Sequence, residues 1–198
     1  MSREAFLENI KKWNGFEAFA EAIGGEAARH VRLMGVEASG AAYAAYASVF
    51  CGAKGRKLVY ITPNDYAARI AADDFNFLSG GGCVYLEHSE YMFYDALAKS
   101  SEVEYRRMAA IKRLVDGDFS VLVISVETLM QFMAKPEKLK KCSLNFAVGD
   151  SIEPLELADR LAEIGYIRVN RIDGKRQFAI RGDIADVFPT SSENPYRI

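Results

Sequence analysis

Hydrophobic and polar residues change their spacing several times along the chain, and each change marks an element. Phe6, Leu7 and Ile10 recur at helical spacing between charges, and a second short helical pattern runs from Asn14-Gly15 to a stop at Gly24-Gly25. Val31 to Met34 reads as a short apolar strand, and Ala41 to Phe50 as an alanine-rich helix. Lys57 to Thr62 (KLVYIT) has the composition of a buried strand, closed by Pro63. Asn64 is placed to cap the next helix, which keeps Ala67, Ile70, Ala71 and Phe75 on one side. Three glycines, Gly80 to Gly82, lead into a third strand at Cys83 to Leu86. Ser101-Glu102-Val103-Glu104 is a capping box, which opens a helix to about Val115. The continuous apolar run Phe119 to Val126 (FSVLVISV) fits a central parallel strand covered on both faces.

Strands alternating with helices from residue 31 to 126 predict an α/β domain built from βαβ units around a parallel sheet. The pattern changes after Lys135-Pro136 and the lysine-rich stretch Lys138 to Lys141. Pro154 stands where the first helical position would be and Gly165 just past the end, so residues 154–164 read as one short helix. Three β-like runs follow, Tyr166 to Ile172, Gln177 to Arg181 and Ile184 to Phe188, with Asp173-Gly174 a hairpin candidate between the first two. A second, smaller α+β unit is therefore expected from about Ser143. Pro195 to Ile198 open a further strand, and a sheet that stops there reads as a fragment of a longer protein.

Composition narrows the function classes. Half of the 198 residues are hydrophobic and a quarter are charged, as in ordinary soluble domains. A formal net charge of −2 argues against a strongly basic nucleic-acid binder but leaves room for a local basic face. Cys51, Cys83 and Cys142 lie far apart with no Cys/His cluster, so reduced thiols are expected and no metal site. The amphipathic start is unlike a signal peptide, and no apolar run reaches the ~20 residues of a membrane span, which points to the cytoplasm.

In a parallel α/β domain, the turn after the first strand meets a helix N-terminus, a natural anion site. A phosphate loop there would read G-x-x-x-x-G-K-[ST]. This chain has Gly35-Val36-Glu37-Ala38-Ser39-Gly40-Ala41-Ala42: the glycines keep the spacing, but Ala41 stands in the lysine position and Ala42 in that of the metal-binding hydroxyl. Without the lysine charge and the hydroxyl, nucleotide chemistry is not expected. No catalytic residue and no cofactor are expected either.

Residues 178–189, Phe-Ala-Ile-Arg-Gly-Asp-Ile-Ala-Asp-Val-Phe-Pro, with Ser192-Glu193-Asn194-Pro195-Tyr196-Arg197 behind them, resemble the bacterial transcription-repair coupling factors and the excision-repair protein UvrB, which share this module. Ile61-Thr62-Pro63-Asn64, Tyr94-Asp95, Ile124 to Leu129 and Gly165-Tyr166 fall in the family's order. The resemblance implies a degenerate RecA-like domain over residues 1–142, with helices on both faces of its parallel sheet. The start of a UvrA-binding domain, truncated, would follow over 143–198. It further implies a non-catalytic adaptor that recruits UvrA to stalled RNA polymerase, whereas the full-length protein is an ATP-driven DNA translocase. RNA polymerase and DNA would be reached only through regions beyond this sequence. The alternative is a DNA-binding or ATP-binding UvrB-like repair domain. Between residues 87 and 100 there is too little chain for UvrB's long damage-probing hairpin.

The resemblance implies that two of the basic residues through which the family contacts UvrA correspond to Arg181 and Arg197. Arginine suits such a surface because its planar fork binds carboxylates bidentately. Arg168, Arg171, Lys175 and Arg176 are placed to extend the basic face, although ordinary solvated positions explain them better. Gly182 is expected in a turn or bulge. His30 and His88 are isolated, and Asp73-Asp74 and Glu102/Glu104 fit helix faces and caps. Tyr85, Tyr91, Phe93 and Tyr94 fit packing better than a platform for single-stranded DNA.

Overall fold

A computed structural model of the chain describes residues 2–24, 30–52, 56–89 and 101–198. They form two compact units, one of Met1–Tyr91 with Gly117–Gln131 and one of Met92–Asp116 with Phe132–Ile198.

The first unit opens with two short helices, α1 (Arg3–Lys11) and α2 (Phe16–Gly24). Ser2 caps α1 by accepting from the Ala5 N–H at 3.3 Å. Both helices pack on α3 (Ala38–Gly52), which also meets β1 (Leu58–Thr62) and α4 (Asp65–Ser79). Neighbours on more than one side explain why α3 is alanine-rich: small side chains let several backbones approach, and no polar face is needed. Ala42, Tyr46, Ala68, Ala72, Phe75, Leu78 and Cys83 form the core here, with Val121 and Val123 from the sheet. The Tyr46 hydroxyl is satisfied inside this core by donating to the Leu78 carbonyl at 2.8 Å.

Asn64 caps α4, its Oδ1 accepting from the Ala67 N–H at 2.9 Å, and Gly80 ends it in the left-handed region at φ 64°. The buried face of α4 is Ala68, Ala71, Ala72, Phe75 and Leu78, one residue round from the face read in the sequence, and Ile70 is half exposed. Three parallel strands make the sheet in the order β1-β3-β2, with β2 at Cys83–Leu86 and β3 at Val121–Ser125. β3 is central, as its apolar run indicates, and both Val123 and Ile124 on its opposite faces are buried. A short helix, α6 (Val126–Leu129), follows β3 and is capped by Ser125, whose Oγ accepts from the Thr128 N–H.

Two strand readings in this unit are corrected. Residues 31–34 are not a strand, and Val31 and Met34 are exposed, so no sheet neighbour holds them extended. The 57–62 strand is real but lies at the sheet edge, where Val59 and Ile61 are half exposed. An apolar run alone does not distinguish a central strand from an edge strand.

In the second unit, α5 (Ser101–Asp116) packs against α7 (Pro136–Lys141), a helix the lysine-rich composition concealed. Ser101 is already inside α5, where it was expected as the cap, and residue 100 lies outside the described residues. α8 (Pro154–Glu163) starts with proline in its first turn. It ends in a Schellman motif: Gly165 at φ 89° donates to the Ala162 carbonyl, and Tyr166 to that of Leu161, both at 2.9 Å.

The second sheet has the order β4-β5-β6-β7, with β4 at Ile167–Arg168, β5 at Gln177–Arg181, β6 at Ile184–Phe188 and β7 at Tyr196–Arg197. Here the expected 166–172 strand shrinks to two residues, and β4 runs parallel to β5, so Asp173-Gly174 does not close a hairpin. Instead the Gln177 side chain accepts from the Asp173 and Gly174 N–H groups at 2.9 and 3.1 Å, which shapes the connection between β4 and β5. The hairpin is β5–β6, turning at Gly182-Asp183 with Gly182 at φ 60°.

Phe178, 1% exposed, is the largest fully buried side chain between this sheet and α8. Phe178→Ala is expected to cost about 3–5 kcal/mol of the second unit's stability, measured by urea unfolding. A loss below about 1 kcal/mol would mean that the site collapses around the gap, against the packing described.

Candidate protein-partner interface

The β5–β6 register sorts side chains onto two faces, because successive residues of a strand point to opposite sides. Phe178 pairs with Val187 and Ile180 with Ala185, and all four pack against Leu157, Ala158 and Leu161 of α8. The opposite face therefore receives Ala179, Arg181, Ile184 and Asp186. Asp186 is the cross-strand partner of Arg197 on β7, so Arg197 joins the same face. Two arginines 16 positions apart in sequence thus share one surface with a carboxylate between β5 and β7.

An open groove of about 730 Å³ lies on this face, lined chiefly by Arg171, Ile172, Arg181, Asp186, Tyr196 and Arg197. Arg197 grips Asp186 with both ends of its fork, Nε donating to Oδ1 at 2.7 Å and Nη2 to Oδ2 at 3.0 Å. Arg181 Nη2 donates to the Asn170 carbonyl in the β4–β5 connection. The hydrogen bond from Arg197 holds the Asp186 carboxyl below its ordinary pKa, with Arg181 adding to the effect, and Asp186 in turn raises Arg197. A lowered carboxyl pKa means that the pair contributes above the ordinary carboxylate range and is lost as pH falls through the lowered value. The Arg197 side chain is 69% exposed and screened by solvent, so the pair's contribution to stability is small.

The other basic residues divide. Arg171 lines the groove, and Arg168 is exposed on β4. Arg176, in the left-handed region at φ 64°, donates to the Gly165 carbonyl at 3.0 Å and so supports the end of α8. Lys175 donates to the Thr190 carbonyl and lies 5.7 Å from the Tyr105 ring centre. Sequence reasoning missed Asp186 as part of this surface, and Asn170 as the anchor of Arg181. Asp186 was visible as an acid of the motif, but only the strand register reveals its pairing with Arg197.

At the glycine turn, Gly35 has φ 74° and α3 begins at Ala38, so Gly40, Ala41 and Ala42 are helical. No strand precedes this turn among the described residues, contrary to the premise on which a phosphate loop was sought. A Cβ on Gly40 would come within 2.9 Å of Val36 Cγ1, which explains this glycine by packing. The Ala41 N–H donates to the Glu37 carbonyl at 2.9 Å, and Ala42 is 1% exposed in the core.

The remaining titratable residues serve local structure. The Tyr85 hydroxyl donates to Asp65 at 2.7 Å, and burial followed by this bond pushes its pKa well up. His88 donates its backbone N–H to Asp65, its Nδ1 being buried without a partner among the described residues, while His30 is exposed. Asp74 bonds the Tyr43 hydroxyl, and Glu102 pairs with Arg106 at 3.0 Å. Tyr91, Phe93 and Tyr94 lie outside the described residues, as do the side chains of Cys51 and Ser101. Among the described residues no helix is long and apolar enough to cross a membrane.

Known proteins match this chain both over most of its length and, through a family model, over the residues that carry the arginine face. Residues 144–198 match the family described as the UvrB interaction domain. The chain is 32% identical over 161 residues to the transcription-repair-coupling factor of Bacillus subtilis, an alignment covering 81% of this chain and 14% of that protein. It is 27% identical over 167 residues to the Escherichia coli transcription-repair-coupling factor, with 84% and 14% covered. It is also 35% identical over 92 residues to UvrABC system protein B (UvrB) of Thermotoga maritima, with 46% and 14% covered. The chain thus spans about a seventh of the length of each of these relatives. Residues 144–198 are therefore a UvrB interaction domain, in a chain homologous over most of its length both to the transcription-repair coupling factors and to UvrB.

Proposed function

We propose that this chain is the UvrB-like module of a transcription-repair coupling factor and acts as an adaptor that recruits UvrA of nucleotide excision repair. In this reading residues 143–198 form the UvrA-binding domain, and residues 1–142 a degenerate RecA-like domain without nucleotide chemistry. The module works in the cytoplasm, and RNA polymerase and DNA are engaged by other parts of the longer protein.

The observation that carries the reading is the single exposed face bearing Arg181 and Arg197 on the sheet side that α8 leaves open. Guanidinium forks lining one groove suit carboxylates on a protein partner. The match of residues 144–198 to the UvrB interaction domain supports it from an independent direction. The adaptor role without catalysis is supported by Ala41 and Ala42, which offer neither a charge for phosphate nor a ligand for a metal ion.

Arg181→Glu is expected to weaken capture of purified UvrA by about 30-fold or more, since disrupting one half of an interfacial charge pair costs about 2–5 kcal/mol. Undiminished capture would remove Arg181 from the interface. Isothermal titration of the chain with Mg-ATP is expected to give no heat of binding at micromolar concentrations, whereas micromolar affinity would overturn the non-catalytic reading of Ala41.

A further inference from the structure

We propose that Asp186 is a positioning residue of this surface: its carboxylate fixes the Arg197 guanidinium so that Arg197 and Arg181 face the same acidic group of the partner. The proposal rests on the reading of this face as the UvrA-docking surface. Three features of the geometry carry it.

The first is register. Asp186 lies directly opposite Arg197 in the β6–β7 ladder, so the backbone brings the carboxylate within reach of the arginine before any partner arrives. The second is the mode of contact. Arg197 uses Nε and one terminal nitrogen for Asp186, which fixes the plane of the guanidinium and leaves its other N–H groups for a second acceptor. The third is depth. The Asp186 side chain is 25% exposed and that of Arg197 is 69% exposed, so the carboxylate sits beneath an outward-facing cation.

Arg181 is held from another side, by the Asn170 carbonyl. Ala179, paired with Asp186 across the hairpin, is small enough to leave the groove open between the arginines. A long, exposed arginine otherwise samples many rotamers, and a partner would have to order it on binding. Asp186 does that ordering in the free protein, and the lowered pKa of its carboxyl agrees with a pair already formed.

The opposite role for the same carboxylate is that of a competitor which the partner must displace, and the two roles predict opposite signs. If Asp186 positions Arg197, Asp186→Asn and Asp186→Ala weaken UvrA binding by about two- to five-fold, although both make the surface more positive. Combining Asp186→Ala with Arg197→Ala then costs no more than Arg197→Ala alone, because the first residue acts only through the second. Unchanged or tighter binding by the Asp186 variants overturns the proposal.

A second measurement needs no partner. In the free 198-residue chain, NMR is expected to show the Arg197 Nε–H protected from solvent exchange and the Asp186 carboxyl titrating below its ordinary value of 3.8, the protection being lost in Asp186→Asn and the carboxyl depression reduced in Arg197→Ala. Equal exchange of Arg197 Nε–H in wild type and Asp186→Asn overturns the proposal whatever UvrA does. If instead the free-chain pairing is present while Arg181 and Arg197 variants bind UvrA like wild type, the docking reading fails and the role assigned to Asp186 fails with it.

Discussion

Only two residues, Gly182 and Asp183, separate the paired ends of β5 and β6, and that spacing decides which side chains share a face. A slip of one position would put the cross-strand partners Phe178 and Val187 on opposite faces, so that one strand would turn its apolar side chains to water. Burial of Phe178, Ala185 and Val187 against Leu157 and Leu161 holds the register. The Gly182 backbone, in the left-handed region, lets the chain turn that tightly. The arginine face is therefore a consequence of the core behind it: the apolar contact with α8 is what points Arg181 and Asp186 outward, and pairing of β7 adds Arg197 beside them.

The first unit obeys a different constraint. Its core is assembled from small residues of α3 and α4, so that helices and strands approach closely around Tyr46 and Phe75. Ala42 belongs to that core, and the glycine pair at Gly35 and Gly40 serves a left-handed turn and a close contact with Val36. Each feature that invites comparison with a phosphate loop thus has a local packing role in this chain. A polar side chain at position 42 would have to be accommodated among apolar neighbours, at the cost of an unsatisfied group.

What was legible in the sequence follows from how local each signal is. Asn64, Pro154 and Gly165 announce helix ends through bonds made within a few residues, and each stands in the role its chemistry predicts. The apolar run at Phe119 to Val126 is long enough to identify a central strand. Val31 to Met34 failed as a strand because an apolar tetrapeptide needs a neighbour to pair with, which its own residues do not specify. Asp173-Gly174 carried a hairpin signature, but Gln177 captured the local N–H groups and the flanking strands run parallel. For the candidate site, the sequence motif supplied Arg181 and Arg197, while Asp186 and Asn170 emerged only from the pairing of strands and the path of a loop.

The central claim is that the sheet face opposite α8 is the docking surface. Hydrogen–deuterium exchange of the chain with and without purified UvrA tests it most directly. The account predicts slowed exchange on complex formation in the strands and connection that frame the groove, at residues 170–172, 179–186 and 196–197, with α8 unchanged. Protection confined to α8, with the groove strands exchanging as in the free chain, would contradict it.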